Sequence, residues 1–204
     1  MHDRKGTNSV NRMPWEKSYN QAEVLDRAMR AFWARGYRAT SMSDLVAVTG
    51  INRGSIYAGF EDKRGLFLDA LRHYDRKHRH EFLETVALKH APRDAIIAAF
   101  ETAAHPPVDA PGGCLLVNTA LEVSPHDAQV GAFVSDALQA VEDFFRDRIE
   151  AAQAEGSIRA DLSATDTASA LLGLFLGLRV LMRGGPPGKD TLPALIAQAR
   201  LMLD

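Results

Sequence analysis

Thr40-Ser41-Met42-Ser43-Asp44-Leu45-Val46-Ala47-Val48-Thr49-Gly50-Ile51-Asn52-Arg53-Gly54-Ser55-Ile56-Tyr57-Ala58-Gly59-Phe60 reads as two short helices joined by a glycine turn. Ser41 and Asp44 have the spacing of a capping box, so the first helix begins near Met42, and Gly50 supplies the left-handed residue that ends it. Asn52 caps the second helix. Its apolar side is Ile56 and Phe60, expected to pack on Leu45, Val48 and Ile51. Asn52, Arg53, Gly54, Ser55 and Tyr57 then face outward. No carboxylate occurs between Asp44 and Glu61, so this face offers nothing to repel a phosphate. Two short helices at this spacing form a helix-turn-helix, a unit that lays its second helix in a DNA groove.

The flanks extend the pattern. Upstream, Val24, Leu25, Ala28, Met29 and Phe32 make one helical stripe that ends at Gly36-Tyr37, giving a helix for the hairpin to pack on. Downstream, Asp62 caps a further helix. Lys63 in its first turn is placed to clamp a phosphate beside the helix N-terminus.

Phe32, Gly36-Tyr37, Thr40-Ser41, Leu45, Gly50-Ile51, Gly54-Ser55-Ile56-Tyr57, Phe60, Lys63 and Leu66 together resemble the N-terminal DNA-binding domain of TetR/AcrR transcriptional regulators, over about residues 19 to 70. The resemblance implies that Asn52, Arg53, Gly54 and Ser55 enter the major groove and that Tyr57 and Lys63 contact phosphates. It further implies that Thr40 and Ser41 open the helix that touches the DNA backbone. Ala58-Gly59 departs from the family, which often carries histidine or tyrosine just after the Tyr57 position.

Charge is distributed accordingly. Residues 1 to 90 carry 16 Lys+Arg against 11 Asp+Glu, and residues 91 to 204 carry 8 against 15, so a basic front is joined to an acidic rear. That asymmetry is the footprint of a polyanion partner at one end. There is no run of 18 apolar residues and no apolar core of a signal peptide near the N-terminus, which predicts a soluble, cytoplasmic protein with no membrane partner. A single cysteine, Cys114, excludes an intrachain disulfide. Residues 1–18, with Arg4, Lys5 and Arg12, read as a disordered basic arm.

The remaining chain is helical by period throughout, giving an all-α fold. A helix-turn-helix domain over 19–65 precedes a larger ligand-binding and dimerisation domain over 66–204. Later helices are expected from Lys63 to about Leu88, Pro92 to Ala104, Cys114 to Val123, Asp127 to Ala154, Asp166 to Arg183 and Leu192 to Leu203, about nine in total. Pro106 to Gly113, with three prolines and two glycines, is a loop. Helix 166–183 is apolar on every side, with Gly173 and Gly177 four apart, and must be buried on both sides. A plain core helix satisfies that, as does a four-helix bundle shared by two protomers through Leu174, Leu178 and Leu181. The family resemblance implies the homodimer, and a two-fold dimer implies an inverted-repeat operator.

Gly112-Gly113-Cys114-Leu115-Leu116-Val117-Asn118-Thr119-Ala120-Leu121-Glu122 puts Cys114, Asn118 and Glu122 at i, i+4 and i+8. Such a face can form the polar edge of a ligand cavity with apolar walls from Phe67, Tyr74, Phe100 and Phe133. The Gly-Gly-Cys-Leu-Leu-Val-Asn run resembles a subgroup of the family answering small reactive compounds, and the preceding glycines are read as leaving the helix N-terminus open. Cys114 is equally read as a small buried hydrophobe. His73, His78, His80 and His90 are not spaced as a metal site, and no cofactor motif occurs.

The function expected is therefore a ligand-responsive regulator, in the sense of a repressor released from its palindromic operator by a small, polar or electrophilic effector. A small helical enzyme acting through Cys114 and a constitutive DNA-binding dimer without a ligand are the alternatives.

Overall fold

A computed structural model describes residues 19–185 and 188–204, and the expected basic arm over 1–18 lies outside the described residues. Among the described residues the elements are all helical. They are α1 (Gln21–Arg35), α2 (Met42–Thr49), α3 (Arg53–Phe60), α4 (Lys63–Tyr74), α5 (Glu81–Lys89), α6 (Pro92–Ala104), α7 (Leu115–Glu122), α8 (Ala128–Ala154), α9 (Ala164–Arg183) and α10 (Thr191–Leu201). A π-helical segment, Asp75–His80, joins α4 to α5 without a break, so the described chain forms nine helical rods. A short 3-10 turn, Ser124–His126, leads into α8.

Local sequence sets most of these ends. Asn20 Oδ1 accepts from Ala22 N at 3.1 Å to start α1. Ser41 and Asp44 form both halves of the capping box, with Asp44 N donating to Ser41 Oγ at 3.1 Å and Ser41 N to Asp44 Oδ2 at 2.8 Å. Gly50 ends α2 at φ +74°. Asn52 and Asp62 cap α3 and α4 through Ser55 N at 2.8 Å and Gly65 N at 2.7 Å.

The rod from Lys63 is not the uniform α-helix expected from its period. Asp75-Arg76-Lys77-His78-Arg79-His80 carries no apolar stripe to hold an α register. Its side chains are tied instead by Asp75–Arg79, by Lys77 to Asp26 at 2.7 Å, and by His78 stacked on Tyr74 with ring centroids 4.9 Å apart. The widened turns re-phase the rod. Leu66 to Tyr74 face one hydrophobic core, and Leu83 and Val86 face another.

The first core joins α1 to α4 with α7 and the first half of α8, through Val130, Val134 and Ala137. Phe32, Phe67 and Tyr37 cluster at its centre, with Phe67 5.0 Å from the Phe32 ring and 4.7 Å from that of Tyr37. Fully burying Phe32 and Phe67 stabilises by roughly 2–3 kcal/mol each. The second core joins α5, α6, the later half of α8, α9 and α10 around Phe100, Phe145 and Phe175. The hydrophobic division therefore runs between π segment and α5 and through the middle of α8, whereas the expected domain limit at residue 65 follows the order of the chain. Arg64 and Asp127 pin α4 to the start of α8 at 2.6 Å, and that hydrogen-bonded pair holds the Asp127 carboxyl at about 2.

Helix α9 is long and apolar enough to cross a membrane by length and composition, yet Ala168, Leu171, Phe175 and Leu178 are built into the second core. Its other side is uncovered within the protomer. Gly173 and Gly177 have no neighbour within 4 Å of a Cβ, and Val180 and Leu181 are exposed. Leu178, expected at a partner interface together with Leu174 and Leu181, is corrected to a core position: it is completely buried inside its own protomer.

Candidate functional site

The outward face of α3 presents Asn52, Arg53, Gly54 and Tyr57, all exposed, with Ser55 half-buried beside them. Ile56 and Phe60 anchor the opposite side in the first core, against Leu45. The Arg53 guanidinium lies 6.0 Å from the Tyr57 ring centroid and has no carboxylate partner among the described residues. Asn52 commits its amide oxygen to the α3 cap, which leaves the NH2 as the group it can offer outward. Arg38, not singled out by sequence, is a further exposed cation in the turn before α2, and it forms no ion pair among the described residues.

Other expected contacts are placed differently. Thr40 is completely buried and donates its hydroxyl to Gly36 O at 2.7 Å, so it braces the α1–α2 turn and has no surface to give a DNA backbone. Ser41 is exposed, but its hydroxyl both donates to and accepts from Asp44 in the capping box. Lys63 lies with Nζ 4.4 Å from the Tyr37 ring centroid. Partial burial lowers its pKa, against the attraction of Glu122 and Asp44. The helix N-terminus behind it is already capped by Asp62.

Glu122 is not a cavity residue. Its carboxylate accepts from Tyr37 N at 3.0 Å and Arg38 N at 2.7 Å, holding the α1–α2 turn on the C-terminal end of α7. Residues spaced i, i+4 and i+8 span the whole length of α7, so its two ends meet different neighbours.

The N-terminal end of α7 meets a cavity of about 240 Å³ between the two cores. Trp33 and Arg30 of α1, Tyr74 of α4, His78 of the π segment, Cys114 at the N-cap of α7, Leu116 and Val117 within it, and Arg179 of α9 contribute to its wall. Tyr74 and Cys114 are thus brought together, the Tyr74 hydroxyl donating to Cys114 Sγ at 3.4 Å. Complete burial raises the Tyr74 pKa well above the ordinary tyrosine range, and the adjacent Cys114 adds to this. Arg179 stands beside both groups; burial opposes its charge, but Cys114 and Tyr74 hold its pKa above the usual value. A general base bonded to the thiol is one route to a nucleophilic cysteine. Here the sulfur's partner is a phenol, and His78 stacks on that phenol's ring.

Phe100, Asn118, Phe67 and Phe133 are corrected out of the cavity wall. Phe100 is buried in the second core against Phe145 and Phe175, and Phe67 lies at the centre of the first. Phe133 packs on the first core, and Asn118 holds Nδ2 buried without a partner. The glycines before Cys114 do not open the helix end. A Cβ at Gly112 would lie 2.5 Å from Met182 O, and one at Gly113, where φ is +78°, would lie 3.0 Å from Arg179 O. The pair lets the loop rest on the backbone of α9, which sets Cys114 next to Arg179.

His73, His78 and His80 diverge to Asp26, Tyr74 and Glu84. No three metal-ligating side chains converge among the described residues.

Two family matches cover this architecture. Residues 24–70 match the family described as bacterial regulatory proteins, tetR family, and residues 91–184 match the tetracyclin repressor-like C-terminal domain. The chain is similar to the HTH-type transcriptional repressor ComR of Escherichia coli (strain K12), 32% identical over 83% of this chain and 82% of that protein. It is also similar to the uncharacterized HTH-type transcriptional regulator YezE of Bacillus subtilis (strain 168), 30% identical over 78% and 81%. In fold it superposes on a cysteine variant of the TetR family regulator CifR, solved with 26-base-pair operator DNA, with a TM-score of 0.81 and 28% identity over 92% of this chain and 98% of that one. An exposed Arg53–Tyr57 face held by its caps on a helical body, matched at both ends of the chain and shared with ComR along most of its length, places this chain in the TetR family of bacterial regulatory proteins.

Proposed function

We propose that the protein is a ligand-responsive transcriptional repressor that binds an inverted-repeat operator as a homodimer and leaves it when a small molecule fills the cavity. One observation carries this reading: α7 has Cys114, Leu116 and Val117 at the cavity and Glu122 on the hairpin's α1–α2 turn. A ligand that moves the near end of α7 moves the far end, because eight residues of helix are a rigid rod of roughly 12 Å. Effector and operator are then linked by the effector's differential affinity for the two arrangements, typically about 1–3 kcal/mol. A constitutive DNA-binding dimer has no use for a cavity of about 240 Å³ in its middle. The operator-bound relative CifR, similar over nearly its whole length, supports the DNA half of the reading.

Selection of operators from random double-stranded DNA tests it. Binding should enrich an inverted repeat and fall steeply with salt, since Arg53 and the other cations of the basic front displace counterions from phosphates. Arg53→Ala should weaken operator binding by about 1–3 kcal/mol and relax preference at one symmetric base position, and Tyr57→Phe should weaken it with preference unchanged. Affinity equal to wild type for both variants across a salt series would remove α3 as the reading helix.

For assembly, the open side of α9 is the natural partner surface, since Gly173 and Gly177 admit close helix approach and Val180 and Leu181 leave apolar area uncovered. Leu181→Glu should give a folded monomer by sedimentation with operator affinity lost, because one half-site alone is held too weakly. Leu178→Glu, in contrast, should fail to fold, as it buries a charge inside the protomer. A wild-type monomer at micromolar concentration would remove the dimer.

A further inference from the structure

Among the charged residues lining the cavity, Arg30, Lys77, Arg79 and Arg179 face a single carboxylate, Asp109. Three of the cations are answered. Arg30 pairs with Asp26 at 3.2 Å and Asp109 at 3.4 Å, Lys77 with Asp26 at 2.7 Å, and Arg79 with Asp75. Arg179 has no carboxylate partner among the described residues; its guanidinium donates to Ala103 O at 3.3 Å and otherwise meets the Tyr74 hydroxyl and the Cys114 thiol. Two further polar nitrogens in the same wall are unanswered. Trp33, only 5% exposed, holds its indole Nε1 buried with no partner, and His78 does the same with Nε2. A buried cation is retained where something supplies the opposite charge, and buried polar groups are retained where something completes their hydrogen bonds.

We propose that the cavity binds a small amphipathic monoanion, an aromatic or short unsaturated carboxylate, with its carboxylate on Arg179 and its apolar body against Trp33, Phe82, Leu83 and Phe175. This rests on the effector-responsive reading and names the chemical class of the effector. The planar guanidinium fork matches a carboxylate by two parallel hydrogen bonds. One unpaired cation calls for one negative charge, which a phosphate would exceed. The cavity volume of about 240 Å³ accepts a single ring with a short chain.

Titration calorimetry on the full-length protein, at fixed ionic strength, tests the proposal with benzoate and cinnamate against benzamide and cinnamamide. At least one carboxylate should bind about tenfold or more tightly than its amide. Arg179→Met should bring the pair to parity, Arg179→Lys should keep part of the preference, and Cys114→Ser should keep all of it. Parity in the wild type overturns the anion, as does absence of carboxylate binding up to about 10 mM. Loss of the preference in Cys114→Ser also overturns it, as does its survival in an Arg179→Met protein with wild-type circular dichroism. If Arg179→Met does not fold, a preference undiminished in Arg179→Lys overturns it in the same way. Operator release, followed by fluorescence anisotropy with the same compounds, separates the two readings. Carboxylates that bind selectively without loosening the operator defeat the effector reading and leave the anion site standing. Amides that bind and release the operator as well as the acids do defeat the anion and leave the effector reading standing.

Discussion

Gly65→Ala is expected to cost about 3 kcal/mol of stability and to abolish operator binding with it. Gly65 sits in the first turn of α4, and a Cβ there would lie 1.9 Å from Phe60 O and 3.1 Å from its carbonyl carbon. Both atoms are backbone, so no rotamer change relieves the clash. The α3–α4 connection would have to open. It is already a tight one, since Glu61 ends α3 at φ +68°, a conformation that non-glycine residues rarely adopt. Overpacking of this kind costs roughly 1–3 kcal/mol where side chains can yield, and the upper end applies where only backbone can move. Opening the turn rotates α3 relative to α4, and so displaces the Arg53–Tyr57 face proposed to read the operator. Urea denaturation and operator titration on the same preparation check both parts. A variant within about 0.5 kcal/mol of wild type would show that the turn is looser than the described backbone.

Glu122→Ala should lower stability by about 2–3 kcal/mol and weaken operator affinity. Two backbone N–H groups at Tyr37 and Arg38 donate to this carboxylate, and hydrogen bonds to a charged group contribute roughly 1.5–3 kcal/mol each, less for the exposed one. The Gly36 backbone packs on the same group, where a Cβ would come within 2.8 Å of Glu122 Oε2. Without the carboxylate, the α1–α2 turn loses its hold on α7, and Lys63 loses a nearby negative charge. Glu122→Gln retains an accepting oxygen and should lose about half as much. Equal stability in wild type, Glu122→Gln and Glu122→Ala would exclude the tether.

The two predictions draw on different kinds of information. Gly65 and Glu122 are ordinary residues in the sequence, one inside an amphipathic helix and the other at the end of a regular polar spacing. Nothing local marks Gly65 as a backbone contact, because the atom it must clear belongs to the turn before α4. Nothing local shows whether Glu122 points to a ligand or to another helix's N–H groups. Arg179 is the same case. The apolar reading of helix 166–183 gives Arg179 no role, and only the Gly112-Gly113 loop resting on α9 shows why it lies beside Cys114 and Tyr74.

What the chain determined by itself are the features governed by neighbours a few residues away: the all-helical period, the capping box at Ser41 and Asp44, the Asn52 and Asp62 caps, the turn at Gly50, and the outward placement of Arg53 and Tyr57. These follow from interactions within one or two helical turns, whose partners are written next to each other. Tertiary structure alone decided the π segment that re-phases the rod after Tyr74, the burial of Thr40, the removal of Phe100 to the second core and the diversion of Glu122 to the hairpin. Each depends on which distant surface a residue meets, and a helical period specifies a face without naming what will cover it.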